Sequence, residues 1–302
     1  MNITRPVQTG PSVRSASWLS SRIDQGLYKN NLKGLPLRLF AEALSRQSIA
    51  APSCARSFPW SQDMTFLLNR IIAAHGGLER WKRFNTVEAT IVTGGAFWGM
   101  KGLRQDADPR EITVSLTEQK ASLMPFGAAN YRTAFAPGRI AIETTDGQVI
   151  AERLDPRAAF AGHGKTTHWD PLHRAYFNGY ALWTYLTTPF LLTLPGVVIQ
   201  EQEPWREENE TWHRLRAYFP QHVATHSEVQ DFYFGDDLLL RRHDYNVDVS
   251  GSFAAAQRAY DYRETNGIRY PTKRRIFARG AEGSIVKDPL MVSIDLSDVR
   301  FT

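Results

Sequence analysis

Two short runs concentrate the side chains able to do chemistry: Arg241-Arg242-His243-Asp244-Tyr245 and Pro271-Thr272-Lys273-Arg274-Arg275. An imidazole close to a carboxylate can act as a general base. Arginine forks bind carboxylate or phosphate in bidentate fashion, which suits a lipid head group or an acidic small molecule. Both runs lie in strand-like stretches, where successive side chains point to opposite faces. Each arginine pair therefore supplies one side chain per face, and up to two of the four can meet on one face. Arg242 and Arg274 are the candidates; the bland alternative pairs the arginines with Glu228, Asp244, Asp261 and Glu264.

The hairpin from Ala224 to Val249 decides which groups meet, because loop length sets register. A two-residue turn at Gly235-Asp236 opposes Glu228 to His243 and His226 to Tyr245. A three-residue turn opposes Phe232 to Leu240, Gln230 to Arg242 and Glu228 to Asp244. The catalytic candidates are thus His243, His226, Glu228, Asp244 and Tyr245, and the sequence leaves the register open. An ordinary cross-strand polar ladder, worth about 0.2–1 kcal/mol per pair, fits the same residues. His243 shares parity with Leu239, Val247 and Val249 and is expected on the apolar, concave face, its pKa raised by a nearby carboxylate.

The chain has eight histidines and one cysteine, Cys54. His163, His168 and His173 are five apart, which turns about 140° on a helix and alternates faces on a strand. His222 and His226 stand about 13 Å apart on a strand. No metal and no cofactor is expected. No nucleophile elbow, phosphate loop, dinucleotide fingerprint or zinc-protease motif occurs.

These residues must be positioned by a mostly β architecture. A helix from Met64 is closed by His75-Gly76-Gly77, followed by a turn carrying Trp81. The apolar period then changes to two. Strands are expected near 87–93, 111–116, 121–124, 131–135, 140–145 and 148–153, with Asp146-Gly147 turning the last pair. A second helix runs from Pro171 to Thr187, with Asp170 as N-cap. It carries Tyr176, Tyr180 and Trp183 on one face, and apolar pockets use aromatic linings. Further strands are expected at 197–203, 211–218, 224–234, 238–249 and 256–264, and from 269–279 on to 292–299. The fold class is α+β: a large, strongly coiled antiparallel sheet of about eleven strands, an incomplete β-barrel, with two main helices covering one side. The uncharged run from Ala175 to Gln200 is broken by Asn178, Gly179, Pro189 and Pro195, so a buried helix and loop are expected there, with no membrane span.

Of the 302 residues, 42% are hydrophobic and 12% aromatic, enough for a sizeable core. The net charge of +5 is uneven. Residues 1–62 hold eight Lys/Arg against two Asp/Glu, and 63–302 hold 28 against 29. No nucleic-acid partner is expected for the second part. Residues 1–62, serine-rich with a possible short helix at 35–45, are expected to be a disordered or non-native basic segment. Residues 63–302 are expected to form one half-barrel domain. With no apolar run of signal length, a cytoplasmic location is expected, though the basic segment also suits a transit peptide.

A helix ending in Gly76-Gly77 with Trp81 nearby, antiparallel hairpins, the helix Pro171–Thr187, then further hairpins: this order resembles the lipoprotein carriers of the LolA/LolB type over residues 64–302. The resemblance implies an unclosed barrel lined with apolar side chains, lidded by helices and holding acyl chains. Two departures stand out. Those carriers work in the periplasm behind a signal sequence, and the Arg-His-Asp-Tyr run has no lipid-binding role that the resemblance supplies. Two readings follow. The first is a soluble binding protein for an apolar or amphiphilic, lipid-like ligand, with Tyr176, Tyr180, Trp183, Arg242, His243, Tyr245, Tyr262 and Arg274 at the ligand. The second is a small-molecule hydrolase or isomerase using His243 or His226 with a carboxylate, and Tyr245 or Tyr262, in the same cavity.

Overall fold

In the computed structural model of the chain, residues 60–302 are described apart from Asp106 and Glu208, with side chains from Phe66 onward. The basic segment before residue 60, with the helix expected at 35–45 and Cys54, lies outside the described residues.

The chain opens with α1 (Trp60–Ala74), which begins four residues before Met64. It buries Leu67, Ile71 and Ile72. Gly76 ends it at φ 120°, and a Cβ there would stand 2.3 Å from the Gly267 carbonyl oxygen. Only glycine lets a distant hairpin turn approach so closely. After α2 (Leu78–Trp81) come β1 (Thr86–Gly94), α3 (Phe97–Met100), β2 (Arg110–Ser115), β3 (Ala121–Met124), β4 (Tyr131–Ala136), β5 (Arg139–Thr144) and β6 (Val149–Leu154). Helix α4 (Pro171–Thr187) has the bounds its pattern predicts. The Asp170 carboxylate accepts from the His173 N–H at 2.8 Å, and His173 Nδ1 accepts from the Asp170 N–H at 3.2 Å. This reciprocal cap and Pro171 in the first turn fix the start of the helix.

The second run of strands is β7 (Val198–Glu207), β8 (Glu210–Tyr218), β9 (Val229–Phe234), β10 (Leu240–Val247), β11 (Phe253–Thr265), β12 (Ile268–Arg279), β13 (Ile285–Val286) and β14 (Val292–Phe301). All the pairings are antiparallel, and they make one 14-stranded sheet. Its order is β6-β5-β4-β3-β2-β1-β14-β12-β11-β10-β9-β8-β7, with β13 paired to β12 alone. The path does not close. The last strand inserts between β1 and β12 and joins two meanders into one sheet.

Fourteen strands replace the expected eleven. The stretch taken as continuous from 269 to 299 is interrupted after Arg279 by a turn at Ala281–Gly283, and β14 starts afresh at Val292. Strand β1 alternates strictly, burying Val87, Ala89, Ile91 and Thr93 on the face that α4 covers. Strand β10 is buried on both faces, since Arg242, His243, Asp244 and Tyr245 are each at most 2% exposed. That double burial, unlike the half-wetted β1, makes its polar side chains informative.

Candidate ligand site

Helix α4 lies on β2 to β5 through one side and reaches the strands of the second meander through another. Gly179 sits where a Cβ would meet the Phe135 ring of β4 at 2.3 Å, so the helix axis approaches the sheet closely there. Trp183 Nε1–H is shared between the carbonyls of Ser115 and Glu118, both at 3.1 Å. On the other side the Tyr185 hydroxyl bonds Tyr245 Oη at 2.6 Å and His226 Nε2 at 2.7 Å.

Between these anchors lies an apolar cavity. Its walls include Phe177, Ala181 and Leu182 of α4, Leu123 of β3, Ile276 of β12 and Ile294 of β14. Phe97 and Trp98 of α3 close another side, and Thr93, Arg110, Asn178, Tyr185 and Tyr245 bring polar groups to it. About 40 Å³ is open to the centre of a water-sized sphere. That admits water, whereas a ligand pocket measures roughly 300–1,000 Å³. Arg110 also borders an outer, more polar hollow with Arg104, Phe126 and Arg174; among the cavity walls, Phe253 and Val292 are the ones partly exposed.

Beside the cavity the buried side chains become polar. Tyr185, Tyr245 and His226 form one hydrogen-bonded group, with the His226 and Tyr245 rings stacked at 4.0 Å. His243 stacks on Phe232 at 4.1 Å and lies 4.8 Å from the Tyr245 ring. Its Nε2 is 2.6 Å from Gln230 Oε1. The Gln230 amide nitrogen donates to Thr225 Oγ1 and the Ser227 carbonyl, so its oxygen accepts and His243 carries its proton on Nε2. Arg274 donates to Gln257 Oε1 and to the Tyr185 carbonyl, both at 2.6 Å. Burial holds both imidazoles neutral by pushing their pKa values well down. The same burial pushes the Tyr185 and Tyr245 hydroxyls up. At neutral pH the group therefore has one formal charge, on Arg274.

The structure corrects several sequence expectations. Neither hairpin register is formed: β9 and β10 pair His243 with Phe232 and Asp244 with Asp231, with a bulge between Leu240 and Arg242. The turn is wider than three residues because Leu238 adopts φ 61°, its N–H bonds the Gly235 carbonyl, and Gly235 N–H reaches the Leu239 carbonyl. Residues 224–228 form no strand. The Gln119 amide takes the place of a strand partner there, bonding both the N–H and the carbonyl of Ala224. Glu228 is consequently exposed and faces no imidazole. Asp244 lies on the opposite face of β10, held by Arg242 at 2.7 and 2.8 Å. No carboxylate faces His243, so its pKa is lowered by burial where a raised value was expected. The carboxylate–imidazole pairs of the enzyme reading are not assembled.

The ligand candidates divide similarly. Tyr245 is a cavity wall, and His243 and Arg274 stand just behind it. Arg242 is on the other face, with Asp244, Glu207 and the Gly283 carbonyl around it and its guanidinium over the Trp205 and Tyr233 rings. Tyr176 and Tyr180 are packed among Phe135, Phe160, Phe177 and His226, and Trp183 borders a surface hollow with Leu116 and Leu194. The cavity-facing side of α4 is Phe177, Ala181 and Tyr185, because the larger aromatic stripe is taken up elsewhere in the core. Tyr262 packs against His75 and donates to the Leu240 carbonyl, away from the cavity walls. Sequence reasoning gave no site role to Gln257 or Arg110, and placed Gln230 only as a cross-strand partner of Arg242; Gln257, a lone amide after three alanines, was the one with a local signal. Among the described residues no cluster of potential metal ligands occurs.

No protein-family model matches the chain, and no curated protein is similar enough to match. Solved structures do match in fold. A LolA superfamily protein from Nitrosomonas europaea is 10% identical, covers 79% of this chain and 93% of its own, and superposes with a TM-score of 0.44. A DUF1329 family protein from Desulfovibrio piger is 9% identical, with coverages of 79% and 92% and a TM-score of 0.46. A domain from Vibrio parahaemolyticus ascribed to outer membrane lipoprotein sorting is 9% identical, with coverages of 80% and 93% and a TM-score of 0.40. These are likenesses of fold alone. The expected cytoplasmic location is withdrawn, because the neighbours include a domain ascribed to outer membrane lipoprotein sorting. No helix of the described residues is long and apolar enough to cross a membrane.

Proposed function

We propose that this chain is a binding protein that holds an apolar or amphiphilic, lipid-like molecule between α4 and the middle strands of the sheet. The observation that carries the reading is the apolar cavity walled by Phe177, Ala181, Leu182, Ile276 and Ile294 beneath a helix that bridges both meanders. At about 40 Å³ the cavity is closed to an acyl chain, so uptake requires α4 to move off the middle strands. The bonds that would have to break toward the middle strands include two from the Tyr185 hydroxyl, one to its carbonyl from Arg274, the shared Trp183 N–H and the Thr184–Thr225 hydroxyl contact. Each is worth about 0.5–1.5 kcal/mol net, so their loss is offset by burial of a chain worth about 0.8 kcal/mol per methylene.

The test is direct. The purified full chain is extracted with organic solvent for lipid mass spectrometry, and the delipidated protein is titrated with 1-N-phenylnaphthylamine. Saturable probe fluorescence, displaced by the extracted lipid, is the expected result. Failure to bind the probe, together with an extract free of lipid, would overturn the reading.

A further inference from the structure

The two most deeply buried arginines are treated differently. Arg242, 1% exposed, is neutralised by Asp244 and Glu207. Arg274, 2% exposed, makes no ion pair among the described residues. Two of its nitrogens donate to neutral oxygens, of Gln257 and Tyr185, and its Nε has no partner. The amide nitrogen of Gln257, beside it, has no close partner either, only the Tyr185 and Tyr245 hydroxyls in its neighbourhood. Removing a charge from water without a counter-charge costs several kcal/mol, and buried donors are almost always filled. An unfilled Nε–H and an amide N–H without a close partner, beside an unneutralised guanidinium, are complementary to an anion and to nothing apolar.

The location is equally specific. Arg274 and Ile276 share a face of β12, Gln257 and Ala255 share a face of β11, and Ile276 and Ala255 are walls of the apolar cavity. The cation thus stands one same-face step beyond the cavity, behind the Tyr185 and Tyr245 hydroxyls. Building on the carrier reading, we propose that Arg274, with Gln257 and the Tyr185 and Tyr245 hydroxyls, receives the anionic head group of a single-chain amphiphile. The tail then occupies the apolar cavity and points along Ala255 toward Phe253 and Val292, its partly exposed walls. A carboxylate and a phosphate monoester share the required chemistry: two or three acceptor oxygens and a negative charge.

The test compares cis-parinaric acid with its methyl ester on the delipidated full chain at pH 7.5. The acid is expected to bind about tenfold more tightly or better, as a charge-assisted contact implies. In Arg274→Gln the acid-to-ester ratio is expected to fall close to one. Should that variant fail to fold, the wild-type ratio decides alone. Palmitate displacing the acid better than hexadecyl phosphate assigns a carboxylate, and the reverse assigns a phosphate; either supports the site. Displacement by inorganic phosphate alone makes it a small-anion site and overturns the amphiphile. Equal binding of acid and ester removes the head-group assignment and leaves the carrier reading standing. Binding of neither removes both.

Discussion

Burying an imidazole in its neutral form couples folding to pH. His75, His226 and His243 are each at most 1% exposed, and burial lowers all three pKa values, that of His75 to about 4. The folded imidazoles bind protons more weakly than the unfolded ones, so acid favours the unfolded chain. Their stabilisation is complete above the unfolded value near 6.5 and is lost as pH falls below it. For His75 alone the loss by pH 4 is about 3 kcal/mol. The thermal midpoint is expected to fall steadily from pH 7 to pH 4, and His75→Gln to flatten part of that slope. A midpoint flat between pH 6.5 and 4.5 would count against neutral, buried histidines. The Arg242–Asp244 pair makes a second case. Arg242→Met leaves a 2% exposed carboxylate without its main partner and is expected to cost about 3–5 kcal/mol in urea unfolding. Adding Asp244→Leu should recover most of that loss; a double variant no better than the single one would show that packing, not charge, holds the site.

At the scale of elements, α4 is the piece on which site and fold both depend. Trp183 is 5% exposed and its indole N–H is bonded, so Trp183→Ala is expected to cost about 3–5 kcal/mol. Trp183 borders a surface hollow and not the cavity, and its N–H bond is one that uptake must break. Affinity for an apolar probe should therefore rise about fivefold under conditions where the variant is folded, the equivalent of one bond of about 1 kcal/mol no longer opposing opening. A large affinity loss at unchanged stability would place the ligand on the outer side of α4. Gly179→Val drives a branched side chain into the Phe135 ring. It is expected to destabilise by about 1–3 kcal/mol through overpacking, measured by denaturant midpoint.

At the scale of the molecule, an unclosed sheet has two edges, β6 and β7. Strand β6 exposes Val149, Ile150 and Leu154, the last at 70%, and β7 exposes Val198 at 55%. Apolar edges with unpaired backbone groups template association between chains. Replacing Ile150 and Leu154 by lysine should leave stability within about 0.5 kcal/mol per site while slowing aggregation followed by light scattering. Unchanged aggregation would show that the edges are not where copies meet.

The sequence by itself determined what is local. Helix α4 is set by Asp170, Pro171 and its apolar run, the β6 hairpin by Asp146-Gly147, and most strands by alternation, because caps, turns and two-residue periodicity act within a few residues. With the order of those elements, that was enough to point to an unclosed antiparallel sheet with a helix against it. What only the tertiary structure decided is long-range. The register of β9 and β10 depended on a left-handed Leu238 and on the Gln119 amide, 105 residues from Ala224 in sequence. That register separated His243 from Glu228 and put Asp244 with Arg242 on the far face. The rotation of α4, set by the fit of Gly179 to Phe135, turned Tyr185 toward Tyr245 and His226 and Trp183 away from the cavity. Arg242 and Arg274 read alike in the sequence, two arginines in two strands. Their difference, one charge neutralised and the other not, arises from which acids the folded sheet brings within reach.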